Sequence, residues 1–253
     1  MLSILYYIFT VIHTTVWCVV SVLALAATYP FDKSRRWVHE LSRYMTWVFF
    51  GMPPCLKRTI DGLENIDRRK PYVMVLNHTS GVDIIAAYKV PLNFRWVSKR
   101  EVFRLPFFGP MLLVHGDIPI ERGNAAAAMA KVIRDGKLWL SRGASVAIFP
   151  EGTRSKDGEI HRFKMGAFNL AKEADVDILP VVMTGTGATF KGWRMNWSNR
   201  IAIRVLPPVS AERVAASDVK TLAEEVRVNM IEALAALRAE VAEEERSRGR
   251  RNA

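Results

Sequence analysis

A chain of 253 residues, half of them hydrophobic and about a quarter charged, can bury a full core and is not a disordered polymer. Its two cysteines, Cys18 and Cys55, lack a CxxC spacing, which argues against a disulfide framework or a cysteine zinc site and makes a reducing compartment the default. The net charge of +11 calls for an anionic partner: nucleic acid, an anionic bilayer surface or a phosphorylated substrate.

The N-terminus chooses among these. From Ile4 to Tyr29 there is no Asp, Glu, Lys or Arg, and about 20 apolar residues suffice to span a bilayer's hydrocarbon. Ala24-Leu25-Ala26 looks like a signal cleavage site, but nothing basic precedes the run and it is long for a signal. We therefore expect a membrane anchor, either spanning the bilayer or dipping into one leaflet, and no nucleic-acid partner. Lys33, Arg35, Arg36 and Arg43 follow it, so the positive-inside bias places everything after Pro30 on the cytoplasmic face, with a bacterial inner membrane as the expected location. In the stretch from Arg36 to Phe50, Trp37, Leu41, Tyr44, Met45, Val48 and Phe49 recur at helical intervals. Two readings are open: an interfacial helix on the headgroups, or an amphipathic helix packed on the body of the protein.

Pro53-Pro54 breaks the helical pattern, dividing anchoring helices (1–55) from a second domain (56–253). Strand patterns at Tyr72 to Leu76, Phe94 to Val97, Asp117 to Ile120, Ser145 to Phe149, Ile178 to Met183 and Ile201 to Val205 alternate with helical ones at Asp83 to Val90, Asn124 to Ser141 and Met165 to Ala174. That alternation predicts an α/β fold, a largely parallel sheet with helices on both faces, preceded by membrane-associated helices. A last helix is expected from Asp218 to Glu245, started by a Thr221–Glu224 capping box and carrying Leu222, Val226, Met230, Leu234 and Leu237 on one face. The basic end, Arg246 to Arg251, reads as frayed or membrane-touching.

Four blocks carry candidate chemistry. Asn77-His78-Thr79-Ser80-Gly81-Val82-Asp83 lies where a strand gives way to a helix, a usual ligand position in α/β sheets. Helical residues five apart sit about 140° around the axis, so His78 and Asp83 can touch only if His78 is in the turn and Asp83 in the first helical turn. An Asp bonded to one imidazole nitrogen leaves the other free as a base for a hydroxyl; the alternative is a turn histidine with Asp83 merely favourable at a helix N-terminus. Phe149-Pro150-Glu151-Gly152-Thr153-Arg154-Ser155 again follows a strand, and Gly152, Thr153 and Arg154 suit phosphate, with Lys156, Arg162 and Lys164 close behind. Gly116 to Arg122 is a strand ending on a cation, and Leu179 to Gly185 is an apolar strand containing Pro180. Between the first two blocks, Ser98-Lys99-Arg100-Glu101 and Leu105 to Gly109 set two cations beside an apolar turn.

In this order the four blocks resemble the signature of the glycerolipid acyltransferase family of lysophosphatidic acid acyltransferases: NHxxxxD, G-x-x-x-I-x-R, FPEGTRS and a proline-bearing apolar strand. The resemblance implies that His78 is the general base and Asp83 its partner. It implies that Glu151, Gly152, Thr153 and Arg154, with Arg122, hold the acceptor's phosphate. Lys99 would line a substrate path and Pro180 would lie near the acyl donor. The implied reaction moves a fatty acyl group from acyl-CoA or acyl carrier protein to the hydroxyl of a lysophospholipid acceptor at an anionic membrane surface, with no cofactor or metal. One departure is Pro119, where the family commonly has a bulky apolar residue; proline points to an edge or bent strand. Three other readings keep some of these residues: acylation of a different lysolipid such as a lyso-ornithine lipid, a non-catalytic binder of anionic lipid, and a metal hydrolase using His78, Asp83 and His115.

Overall fold

The computed structural model describes residues 2–51, 57–106, 108–121, 123–192, 194–196 and 199–251. Pro53-Pro54, and Arg122, fall outside them. The charge-free run forms a single helix, α1 (Leu2–Thr28), followed by α2 (Arg36–Gly51). Between them Asp32 accepts from Trp37 N at 2.9 Å, giving an acceptor to one of the amides that open the second helix. α2 is two-faced: Val38, His39, Ser42 and Thr46 are buried, whereas Trp37, Tyr44 and Trp47 stand exposed. It thus packs on the body of the protein and keeps an aromatic face outside it.

The body contributes β1 (Lys57–Asp61), β2 (Val73–Leu76), β3 (Phe94–Lys99), β4 (Ile118–Ile120), β5 (Ser145–Ile148) and β6 (Ile178–Thr184). A short hairpin of β7 (Phe190–Lys191) and β8 (Arg194–Met195) precedes β9 (Arg200–Val205). The helices are α3 (Val82–Ala86), α4 (Phe108–His115), α5 (Ala125–Ser141), α6 (Gly166–Ala174), α7 (Ala211–Ala216) and α8 (Val219–Arg251). The seven-stranded sheet runs β1-β9-β6-β2-β5-β3-β4. Strands β6, β2, β5, β3 and β4 are mutually parallel, while β9 lies antiparallel to β6 and carries β1 parallel to itself.

Both faces of this sheet are covered, which is why its central strands read as continuous apolar runs. Successive residues alternate between layers. Val73, Val75, Val146 and Ile148 meet α5, α6 and α8 on one side; Met74, Leu76, Leu179 and Val181 meet α1 and α3 on the other. Gly136 lets α5 approach α6 closely, since a Cβ there would come within 2.6 Å of Leu170 Cδ2.

Several details differ from the sequence reading. Asp218 starts α8, accepting from Thr221 N at 2.9 Å and Thr221 Oγ1 at 3.0 Å; Glu224 bonds Arg227 instead of closing a capping box. The helix continues through the basic end to Arg251. The apolar turn expected over Leu105 to Gly109 leads into α4, with Pro110 in its first turn, where a missing N–H costs no helical bond. Pro119 sits on an edge strand, opposite Ser98, as a proline requires.

Candidate active site

Because β6, β2, β5 and β3 are parallel, the residues following them emerge along one edge of the sheet, the usual ligand position of α/β folds. Asn77 fixes the exit from β2: its Nδ2 donates to Met183 O at 2.9 Å and its Oδ1 accepts from Met183 N at 2.7 Å. The chain then turns into α3, and Asp83 in the first helical turn reaches back. Its Oδ2 accepts from His78 Nδ1 at 2.8 Å, Thr79 N at 2.7 Å and Ser80 N at 2.8 Å. This is the turn-then-helix geometry that the five-residue spacing demands. With Nδ1–H donating to the carboxylate, Nε2 is the nitrogen left free to take a proton.

The block after β5 holds the block after β2. His78 N donates to Glu151 Oε1 at 3.0 Å, and His78 O accepts from Ser155 N at 2.7 Å. The imidazole stacks on Phe149 (centroids 3.9 Å apart, 11° between planes), and Phe149 stacks on Trp96 at 4.9 Å. His78 is therefore restrained by a carboxylate, two backbone bonds and a ring stack, the kind of preorganisation a proton-transfer group needs.

The expected site residues divide. His78, Gly152, Thr153, Arg154 and Lys99 line one cavity of about 900 Å³, walled elsewhere by Ile84, Val97, Val102, Leu112 and Met129. Arg154 lies over Gly81, whose Cβ position is 3.3 Å from Arg154 Nη2. Glu151 sits differently. Its other oxygen, Oε2, accepts from His161 N at 3.1 Å, so both carboxylate oxygens face backbone amides and none faces the cavity. Burial raises its pKa against the pull of those amides. A carboxylate cannot donate to phosphate and repels it; Glu151 braces the loops. Pro180 is buried in β6 opposite Val75, its carbonyl accepts from Leu206 N at 2.9 Å, and it is not among the residues that line the cavity. Arg122 lies outside the described residues.

His115 is not part of this site. It donates through Nδ1 to Asp117 Oδ1 at 2.7 Å, and its Nε2 meets His39 Nδ1 at 3.0 Å. Asp117 Oδ1 also takes Trp96 N at 2.8 Å, and Arg95, fully buried, donates to Phe94 O beside them. Burial pushes the pKa of both histidines down and that of Arg95 down to about 10. The cluster joins α2, α4, β3 and the residue before β4; it removes His115 from the triad that a metal hydrolase would need.

Residues 57–184, half of the chain, match the Acyltransferase family. A chloroplastic 1-acyl-sn-glycerol-3-phosphate acyltransferase of Arabidopsis thaliana is 37% identical over 158 residues, 62% of this chain and 44% of the relative. The mouse 1-acyl-sn-glycerol-3-phosphate acyltransferase alpha is 34% identical over 175 residues, 68% of this chain and 61% of the relative. The chain thus spans less than half the length of the plant relative. The crystal structure of the 1-acyl-sn-glycerophosphate (LPA) acyltransferase PlsC from Thermotoga maritima superposes with a TM-score of 0.74 at 20% identity, covering 94% of this chain and 95% of that one, which establishes a common fold. By the family match over half its length, carrying the His78–Asp83 pair and the Gly152–Arg154 loop on one cavity, this chain belongs to the acyltransferase family.

Proposed function

We propose that the protein transfers a fatty acyl group from acyl-CoA or acyl carrier protein to the free hydroxyl of lysophosphatidic acid, forming phosphatidic acid. The observation that carries this reading is the His78–Asp83 pair on the wall of a largely apolar cavity whose rim includes Gly152, Thr153 and Arg154. The names of the Arabidopsis and mouse relatives support the same substrate.

His78 Nε2 takes the proton of the acceptor hydroxyl as its oxygen attacks the thioester carbonyl, and Asp83 stabilises the imidazolium that forms. Collapse of the tetrahedral intermediate expels the thiolate, which recovers the proton from His78. Acyl transfer is direct. Cys18 lies in α1 and is not among the cavity-lining residues, Cys55 lies outside the described residues, and no Ser elbow of the G-x-S-x-G kind occurs in the sequence. Thr153 and Arg154 hold the acceptor's phosphate by donated hydrogen bonds, and Lys99 lines the substrate path.

The lysophospholipid acceptor is a membrane lipid, which favours a site at a membrane surface. The helix over Ser3–Thr28 is long and apolar enough to cross one, and α2 offers Trp37, Tyr44 and Trp47 outward. The cations that follow α1 favour a cytoplasmic orientation, in keeping with a bacterial inner membrane. The test is a membrane assay with labelled acyl-CoA, offering lysophosphatidic acid or a non-phosphorylated lysolipid to wild type and His78→Ala. Loss of transfer to lysophosphatidic acid in the variant is expected. Undiminished transfer by His78→Ala refutes the base assignment, and wild-type activity on the non-phosphorylated acceptor alone refutes the acceptor.

A further inference from the structure

Gly152 occupies the left-handed region at φ 75°, and a Cβ there would meet Lys164 Nζ, Cε and Cδ at 2.7, 2.9 and 3.2 Å. Three consecutive side-chain atoms of Lys164 therefore lie flat across Gly152. The position is set by the backbone, since Lys164 N donates to Pro150 O at 2.8 Å. Laying a lysine along a turn sacrifices rotamer freedom, and here it sets the ammonium beside the Gly152 backbone. No ion pair of Lys164 occurs among the described residues.

Two other charged groups of the cavity wall are paired. Lys99 faces Glu101 at 3.9 Å, and Glu121 is paired with Arg100. Arg162, like Lys164, forms no ion pair among the described residues. The neighbouring carboxylate, Glu151, is engaged by two amides. Of the unpaired cations, Arg154 lies over Gly81 in the turn that carries His78, and Lys164 lies over Gly152 in the loop after β5 that holds that turn. By contrast, Arg204, Arg227 and Arg238, away from the cavity, each hold an acidic partner.

We infer that Lys164 is a specificity-determining residue: with Arg154 it matches the two negative charges of a phosphate monoester, and so selects that headgroup over a phosphodiester or an uncharged one. A phosphate monoester carries about −1.5 to −2 at pH 7, whereas a diester carries a single charge. Arg154 supplies a planar fork and Lys164 a movable point charge, a pairing suited to three equivalent oxygens. Gly152 is required because any side chain there displaces the ammonium. The inference rests on the acyl-acceptor reading above, and names a residue and a headgroup class for it.

The test compares Lys164→Met and Lys164→Arg in the full-length membrane protein, using lysophosphatidic acid, lysophosphatidylglycerol and monoacylglycerol as acceptors. Lys164→Met is expected to raise the KM for lysophosphatidic acid about tenfold, the scale of one charge-assisted contact, with kcat changed less than about twofold. The KM for lysophosphatidylglycerol stays put, so the monoester preference falls by the same factor, and Lys164→Arg restores most of it. A uniform change across all three acceptors, or a loss in kcat alone, overturns the assignment. Equilibrium binding of lysophosphatidic acid in vesicles by the inactive His78→Ala protein, with and without Lys164→Met, separates the two claims. Weaker binding with Lys164→Met supports the assignment even if the wild type transfers no acyl group, an outcome that would refute only the proposed reaction. Unchanged binding overturns it.

Discussion

Replacing Asp83 by asparagine separates two tasks of one carboxylate. Oδ2 receives three N–H groups, from His78 Nδ1, Thr79 and Ser80, while Oδ1 is buried without a partner. Asparagine has one way to fit: its carbonyl must take the Oδ2 position, because an NH2 there would face three donors. The turn and the tautomer of His78 then survive; the negative charge is lost, and the NH2 sits unpartnered in the Oδ1 position, at a loss of about 1–3 kcal/mol of stability. Two unit charges about 4 Å apart at an effective dielectric constant of about 20 interact by roughly 4 kcal/mol, and each 1.36 kcal/mol is about a factor of ten in rate. Allowing for incomplete charge on the imidazole in the transition state, Asp83→Asn should lower kcat about 10²–10³-fold and leave the KM for lysophosphatidic acid within about twofold. Asp83→Ala also strands the Thr79 and Ser80 amides, adding about 1–3 kcal/mol of instability for each that water cannot reach, and should fall to the level of His78→Ala. Initial rates of labelled acyl transfer, with protein amount and melting temperature measured in the same detergent, decide this. An Asp83→Asn rate within about fivefold of wild type would show that the charge is unused; a rate as low as that of Asp83→Ala would show that the orientation argument is wrong.

Three further outcomes follow from the packing. Burial lowers the folded-state pKa of His39 and His115, so the stability of that cluster is complete above the unfolded value of about 6.5 and declines as pH falls below it, by up to about 1.4 kcal/mol per pH unit for each histidine. Melting curves at pH 7.5, 6 and 5 should show this fall, which Glu151, shifted upward, opposes as one group against two; a flat profile refutes it. Gly136→Ala places a methyl 2.6 Å from Leu170 Cδ2 in the α5–α6 crossing and should cost about 1–3 kcal/mol, despite alanine's better helix propensity. A higher melting temperature for this variant would contradict the close approach. Met129→Trp fills part of the cavity beside Gly166 and should shift donor preference toward shorter acyl chains in a competition between lauroyl and palmitoyl donors; an unchanged ratio means that the chain lies elsewhere.

What the sequence disclosed depended on range. Strands buried on both faces and helices with an apolar stripe were legible, because their patterns are local: β2, β5, β6, α5 and α6 lie within a residue or two of expectation. β1, reading Lys-Arg-Thr-Ile-Asp, is too polar to announce itself and exists because β9 gives it a neighbour. The two-residue strands β7 and β8 are shorter than any periodicity can reveal. In the site, the His78–Asp83 contact could be deduced from spacing and helix geometry alone. The engagement of Glu151 by two amides could have been anticipated on charge, since an acid beside a phosphate needs other partners. The His39–His115–Asp117–Arg95 cluster had no such signal, as its members come from separate elements that meet only in the fold.

The splice made by Asn77 has a bearing on when, during synthesis, the protein can work. The two bonds that fix the exit of β2 reach Met183, 106 residues later, and the carboxylate that holds His78 N comes 73 residues later. A ribosome must therefore have released nearly three-quarters of the chain before the histidine has its working surroundings, long after α1 is available to a membrane. Contacts at such separation close late and fold slowly. On the proposed reading, α1 can meet the bilayer before the site can act, since the surroundings of His78 wait for β6 to take its place between β2 and β9.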